Sequence, residues 1–167
     1  MDHSHLEKIY NEIKEEPYLV SFEFGVEAPN CYFKGVRLIK AAAELGYEVR
    51  GRVADVDWND TPAPKEIINL RPQGGAEKHF YVEVKIDEQW RTLDPSMDQQ
   101  SEKLGFRAVS FEGDDRTCFD LHKVYSQEEQ IKEFQSISDE SQKEYFKNMK
   151  PFLSAFNEWI EAERAKL

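Results

Sequence analysis

The chain is poor in cysteine, with only Cys31 and Cys118 among 167 residues. Neither has the spacing of a metal knuckle, and two thiols make no disulfide framework. Long apolar runs are missing too. No stretch of about 18 consecutive apolar residues occurs, so a membrane span is not expected. The N-terminus shows no basic stretch followed by an apolar core, so no signal peptide is expected either. A cytoplasmic, reducing location follows as the simplest expectation, and it would keep Cys31 free. Positive charge is also short: 22 Lys and Arg stand against 33 Asp and Glu, a formal net charge of −11. That balance argues against nucleic acid or an anionic membrane as the main partner. Repeats, low-complexity tracts and an evident linker are absent. What is present suits one domain, 1–167, with a proper core: 40% hydrophobic and 13% aromatic residues.

The most regular helical pattern follows Asn30-Cys31-Tyr32-Phe33-Lys34-Gly35 and predicts a helix over 31–45. Asn30 suits the N-cap, because its side-chain oxygen can accept from a free first-turn amide. Gly46 suits the position just past the end, where the left-handed conformation closes a helix. Val36, Leu38, Ile39, Ala42 and Leu45 form the expected buried stripe. Gly35 weakens the helix by about 1 kcal/mol against alanine. Either another backbone passes close to Cys31 there, or the glycine merely packs. As the first helical residue, Cys31 lies at the positive end of the dipole, a place that favours thiolate over thiol.

The strongest hairpin pattern runs from His79 to Asp94. Phe80, Val82, Val84 and Ile86 alternate with His79, Tyr81, Glu83 and Lys85, so His79 shares a face with Tyr81 and Glu83. A two-residue turn at Asp87-Glu88 would set Ile86 opposite Gln89 and Tyr81 opposite Asp94. His79 and Asp94 are then diagonal neighbours on one face. A turn one residue longer or shorter would put Asp94 on the other face.

Around these segments the chain reads as follows. Ser4-His5-Leu6-Glu7 has capping-box form and opens a helix over about 5–15 that Pro17 ends. Residues 18–26 suit a short strand or a loop. Residues 47–58 read as a strand. Residues 59–75, with three prolines and Gly74-Gly75, read as a long connection, with a short strand or turn at 67–70. A further strand is expected around Phe106, Val109 and Phe111. Ser126-Gln127-Glu128-Glu129 is a second capping box. Two more helices are expected, over 140–149 and from Pro151 onward, the latter burying Phe152, Phe156, Trp159 and Ile160. The core would span about 5–123, with a helical extension over 124–167 packed on it.

Cysteine, histidine and aspartate in this setting supply a thiolate, an imidazole to pair with it, and a carboxylate to orient the ring. Cys31, His79 and Asp94 are the candidates. The backbone N–H of Cys31 is one candidate oxyanion donor, and Tyr18 or Asn30 a second. Tyr18, Asn30, Trp58 and Tyr81 are the candidate substrate-binding residues. Cys118 reads as structural, with His122 in reach only if that stretch is helical. His3 and His5 have no metal-binding pattern. Asp55 and Asp57 share a strand face but lack the further oxygen ligands that calcium needs, so neither metal nor cofactor is expected.

The stretch 31–52 (CYFKGVRLIKAAAELGYEVRGR) resembles the cysteine segment of the transglutaminase-like superfamily. His79-Phe80-Tyr81-Val82-Glu83-Val84 resembles its H-x-W-x-E-V strand, with Tyr81 in place of tryptophan. Trp90-Arg91-Thr92-Leu93-Asp94-Pro95-Ser96 is similar to its W-x-x-L-D-P-T segment, and residues 9–18 to the helix that precedes the core. Asn30 departs from the small or acidic residues common before the cysteine. The likeness covers about residues 5–98. It implies an α+β papain-like fold in which a cysteine-bearing helix packs on an antiparallel sheet that carries His79 and Asp94. It further implies Cys31 as nucleophile, His79 as general base and acid, and Asp94 as orienting group. The reaction expected is thiol-dependent acyl transfer or amide hydrolysis on a protein or peptide. An inactive binding module on the same fold is the alternative. An acyl-CoA-dependent acetyltransferase is the second rival, and such enzymes usually need a longer chain.

Overall fold

The computed structural model describes residues 2–113 and 115–167. In chain order the elements are α1 (Ser4–Lys14), α2 (Cys31–Glu44), β1 (Val49–Asp57), α3 (Lys65–Ile68), β2 (Ala76–Ile86), β3 (Gln89–Leu93), α4 (Gln99–Lys103), β4 (Lys123–Val124), α5 (Gln127–Ser136) and α6 (Asp139–Arg164). The fold is α+β. Its four-stranded antiparallel sheet has the order β3-β2-β1-β4.

The β2–β3 hairpin turns through Asp87 and Glu88, both with positive φ (48° and 63°). That is the backbone of a two-residue turn whose twist matches the strands. The register follows from it: Ile86 pairs with Gln89 and Val82 with Leu93. One step further on, Asp94 falls opposite Tyr81, on the face of His79.

Helix α2 starts where its cap dictates. The Asn30 side chain accepts from the Phe33 N–H at 3.0 Å, and Gly46 closes the far end at φ 86°. Its buried line is Lys34, Gly35, Leu38 and Ala42. Val36 was expected inside but is exposed, because it lies about 100° round the helix from Gly35. The reason for Gly35 is packing. A Cβ there would lie 2.7 Å from the Phe80 ring, and a Cβ at Gly51 would lie 2.6 Å from the same ring. The two glycines thus sandwich one phenylalanine between helix and strand. Leu6, Tyr10 and Ile13 of α1 join Leu38, Ala42, Val82, Val84 and Leu93 in the cluster around α2.

A second cluster gathers Trp58, Phe106, Phe119, Phe152 and Phe156 with Met149 and Ile160. Here α6 differs from expectation: it is one 26-residue helix running through Pro151, not two. The buried stripe Met149, Phe152, Leu153, Phe156, Ile160 continues across the proline, so packing holds the helix together where local propensity would break it. Its end is fastened by Arg164, which donates to Asp98 Oδ2 at 2.5 Å and to the Tyr18 carbonyl at 2.9 Å.

Other expectations needed correction. Of the strand or turn expected at 67–70, no strand forms: a short helix over 65–68 runs into a turn at 69–70. Of the strand or loop expected over 18–26, the loop forms. No strand forms over residues 97–113; Phe106 and Val109 are instead buried from irregular chain. The capping box at Ser126 forms, but Ser4 lies inside α1, whose cap position is His3. Among the described residues, no helix is long and apolar enough to cross a membrane.

Candidate active site

The carboxylate comes first, because everything nearby is built onto it. Asp94 follows β3 directly and is fully buried. Its Oδ2 accepts from His79 Nε2 and from the Cys118 N–H, both at 2.7 Å. Its Oδ1 accepts from Ser96 Oγ at 2.5 Å and from the Ser96 N–H at 3.1 Å. Burial pushes the Asp94 pKa up, but the His79 charge and these hydrogen bonds prevail and hold it at about 2. The hydroxyl of Tyr10, from α1, donates to the Asp94 carbonyl at 3.0 Å and fixes the backbone as well.

His79 answers in the opposite sense. Burial disfavours its charged form; the Asp94 charge and hydrogen bond, together with the neighbouring Cys31, raise its pKa to about 10. The ring lies 4.7 Å from Phe119 and stacks at 6.2 Å on Tyr81. Since Nε2 is committed to Asp94, Nδ1 is the nitrogen left for Cys31.

Cys31 reaches the ring by helix geometry. Gly35 sits over Phe80 and Val82, and one turn earlier, about 6 Å back along the axis, Cys31 comes level with the start of β2. It is partly exposed and in no disulfide. The three candidate residues therefore come together, from a buried carboxylate through the imidazole to a partly exposed thiol on the same cleft.

This line opens into a cleft of about 660 Å³ lined by Cys31, His79, Tyr18, Asn30 and Trp58. Tyr81 does not line it. Two residues further along the strand, it is buried behind the imidazole. The Asn30 side chain is engaged at both ends, capping α2 and donating to Ser21 Oγ at 3.1 Å. Tyr18 is deeply buried, and burial followed by the neighbouring Cys31 pushes its pKa well up, so its hydroxyl keeps its proton.

Several contributors escaped the sequence. Lys34 is fully buried, and its ammonium donates to the carbonyls of Lys14 (2.9 Å), Glu16 (2.5 Å) and Ser96 (3.0 Å). It ties the cysteine helix to the end of α1 and to the turn after Asp94. Burial lowers its pKa to about 8. The available signal was a lysine three residues after Cys31, on the buried face of α2. The opposite wall of the cleft comes from α5 and α6 through Phe134, Ile137, Tyr145 and Phe152, joined by Arg71 and Glu77. No local pattern joins these residues to Cys31.

Three other titratable groups have partners of their own. His122 pairs with Asp60 at 2.7 Å, His3 contacts the Tyr47 hydroxyl at 2.8 Å, and Asp55 accepts from Tyr125 at 2.8 Å. Cys118 is buried and contributes its backbone N–H to Asp94. Among the described residues, no group of three or more His, Cys, Asp or Glu side chains could hold a metal. No protein-family model, curated protein or solved structure matches the chain.

Proposed function

We propose that this chain is a cysteine acyltransferase or amide hydrolase of transglutaminase-like, papain-like build, acting on a protein or peptide without a cofactor. The observation that carries the reading is the buried His79–Asp94 pair at 2.7 Å, with Cys31 beside the imidazole on the lining of one open cleft. An imidazolium so held stabilises a thiolate beside it.

In the first half-reaction the Cys31 sulfur attacks the amide carbonyl carbon and forms a C–S bond. His79 Nδ1 passes its proton to the leaving nitrogen as the C–N bond breaks, which leaves a thioester. In the second half-reaction a water or amine attacks the thioester carbon and gives its proton to Nδ1, and Cys31 departs as thiolate. Asp94 stays ionised throughout and holds the ring. The backbone N–H of Cys31, at the head of α2, is one oxyanion donor. Tyr18 is favoured over Asn30 as the second, because the Asn30 side chain is engaged in the cap and with Ser21.

The test is iodoacetamide labelling of Cys31 across pH, in the wild type and in His79→Ala. Fast labelling below neutral pH that disappears in the variant is the expected result. Slow labelling confined to alkaline pH in both proteins would leave only a non-catalytic binding module.

A further inference from the structure

The cleft contains polar groups that this chemistry leaves unused. The Arg71 side chain is fully buried. It donates from Nε to the Gly74 carbonyl at 2.7 Å, and from Nη2 to the Ala76 carbonyl at 2.8 Å and to Glu77 Oε2 at 3.0 Å. Its Nη1 has no partner among the described residues, and neither has Nε1 of Trp58, a residue 4% exposed. The two are neighbours: the guanidinium carbon is 6.0 Å from the centre of the Trp58 ring and 4.7 Å from that of Phe152. Arg71 and Trp58 line the same cleft as Cys31 and His79.

A buried donor without an acceptor costs about 1–3 kcal/mol, so two from neighbouring residues on one cleft call for an oxygen from outside. The charge around them says which kind. The Arg71 charge is already matched by Glu77, which also accepts from the Tyr145 hydroxyl at 2.8 Å. An incoming carboxylate would meet Glu77 at close range, on a protein of net charge −11. A neutral carbonyl would not. Phe24, Phe134, Ile137 and Phe152 make a large part of the remaining wall apolar, beside the polar Ser21, Glu23, Lys78 and Gln142.

We propose that Arg71 and Trp58 form a subsite for a neutral carbonyl oxygen, and that the cleft takes a substrate whose acyl part carries a bulky apolar group. The occupant is thus a hydrophobic amide, not an acidic one. Its role as acyl donor rests on the function proposed above; the subsite itself does not.

The test uses the full chain with Cys31→Ala, labelled with nitrogen-15, so that each of the three tryptophans gives one indole N–H signal. The probes are N-acetylphenylalanine amide, N-acetylalanine amide and N-acetylphenylalanine carboxylate. The phenylalanine amide should shift the Trp58 signal saturably and leave Trp90 in place. The other two probes should bind about ten-fold more weakly, the effect of losing about 1.4 kcal/mol. Arg71→Met should weaken the phenylalanine amide to a similar degree; because Arg71 also holds its own loop, the Trp58 signal in the otherwise intact protein is the decisive readout. An unmoved Trp58 signal, tighter binding of the carboxylate, or no saturable binding by any probe would overturn the subsite. Fast Cys31 labelling with an unmoved Trp58 would remove the subsite alone. Slow labelling with a shifted Trp58 would leave the subsite and remove the enzyme.

Discussion

The cluster between α1, α2 and the sheet is mainly aliphatic, built from Leu6, Ile13, Leu38, Val82, Val84 and Leu93, with Tyr10 as its buried aromatic. The cluster beneath α6 is aromatic, built from Trp58, Phe106, Phe119, Phe152 and Phe156. The first joins a helix face to a sheet face in a regular stack, and it sets where Cys31 stands over β2. The second packs rings edge-on or tilted, with Phe156 in contact with Tyr18, Trp58, Phe106, Phe152 and Trp159. Tyr18, Trp58, Phe119 and Phe152 of this cluster also line the cleft. One region fixes the reacting groups; the other shapes what can approach them.

That division can be broken most sharply at Phe156. Phe156→Ala should destabilise the protein by about 3–5 kcal/mol, measured by urea unfolding. It should also alter iodoacetamide access to Cys31 in the fraction that stays folded. Leu38→Ala, expected to be similarly destabilising, should leave the cleft's access unchanged in the folded fraction. Equal effects on access would show that the two clusters do not divide the work.

A smaller effect is expected where the two regions meet. Asp94→Asn removes the partner of a buried imidazole and should cost about 3 kcal/mol near pH 5. The sign of the pH dependence follows from the two shifts. Asp94, lowered from 3.8 to about 2, contributes stability that is present above pH 3.8 and lost as pH falls toward 2. His79, raised from 6.5 to about 10, contributes stability that is full below pH 6.5 and lost as pH rises toward 10. The advantage of wild type over Asp94→Asn should therefore be greatest between about pH 4 and 6.5 and shrink on both sides. Denaturant midpoints across pH check this, and a flat difference would contradict it.

The smallest effect sharpens the aliphatic side. Gly35→Ala gains helix propensity but drives a Cβ to 2.7 Å from the Phe80 ring. The net should be a loss of about 1–2 kcal/mol. Adding Phe80→Leu should recover part of it, a coupling that a double-mutant cycle measures.

Much of the helix–sheet region was legible because its signals are local. The Asn30 cap and Gly46 bound α2 within the sequence that forms it. The alternation from His79 to Ile86 and a two-residue turn fix a register, and that register alone puts His79 and Asp94 on one face. Tyr81 shows where local reading stops: the alternation gave its face, but not that Asp94 and the imidazole would seal it from the cleft. Pro151 shows the same limit on the other side, since only the core stripe across it keeps α6 whole.

The sequence by itself determined the helix that begins at Cys31, the hairpin that aligns His79 with Asp94, and the capping of α5, since each depends on neighbours within a few residues. The tertiary structure alone decided the burial of Lys34 against three carbonyls, the Cys118 N–H on Asp94, the wall supplied by α5 and α6, and the unpaired donors of Arg71 and Trp58. Those contacts join residues tens of positions apart, and short-range periodicity carries no information about which distant surfaces will meet.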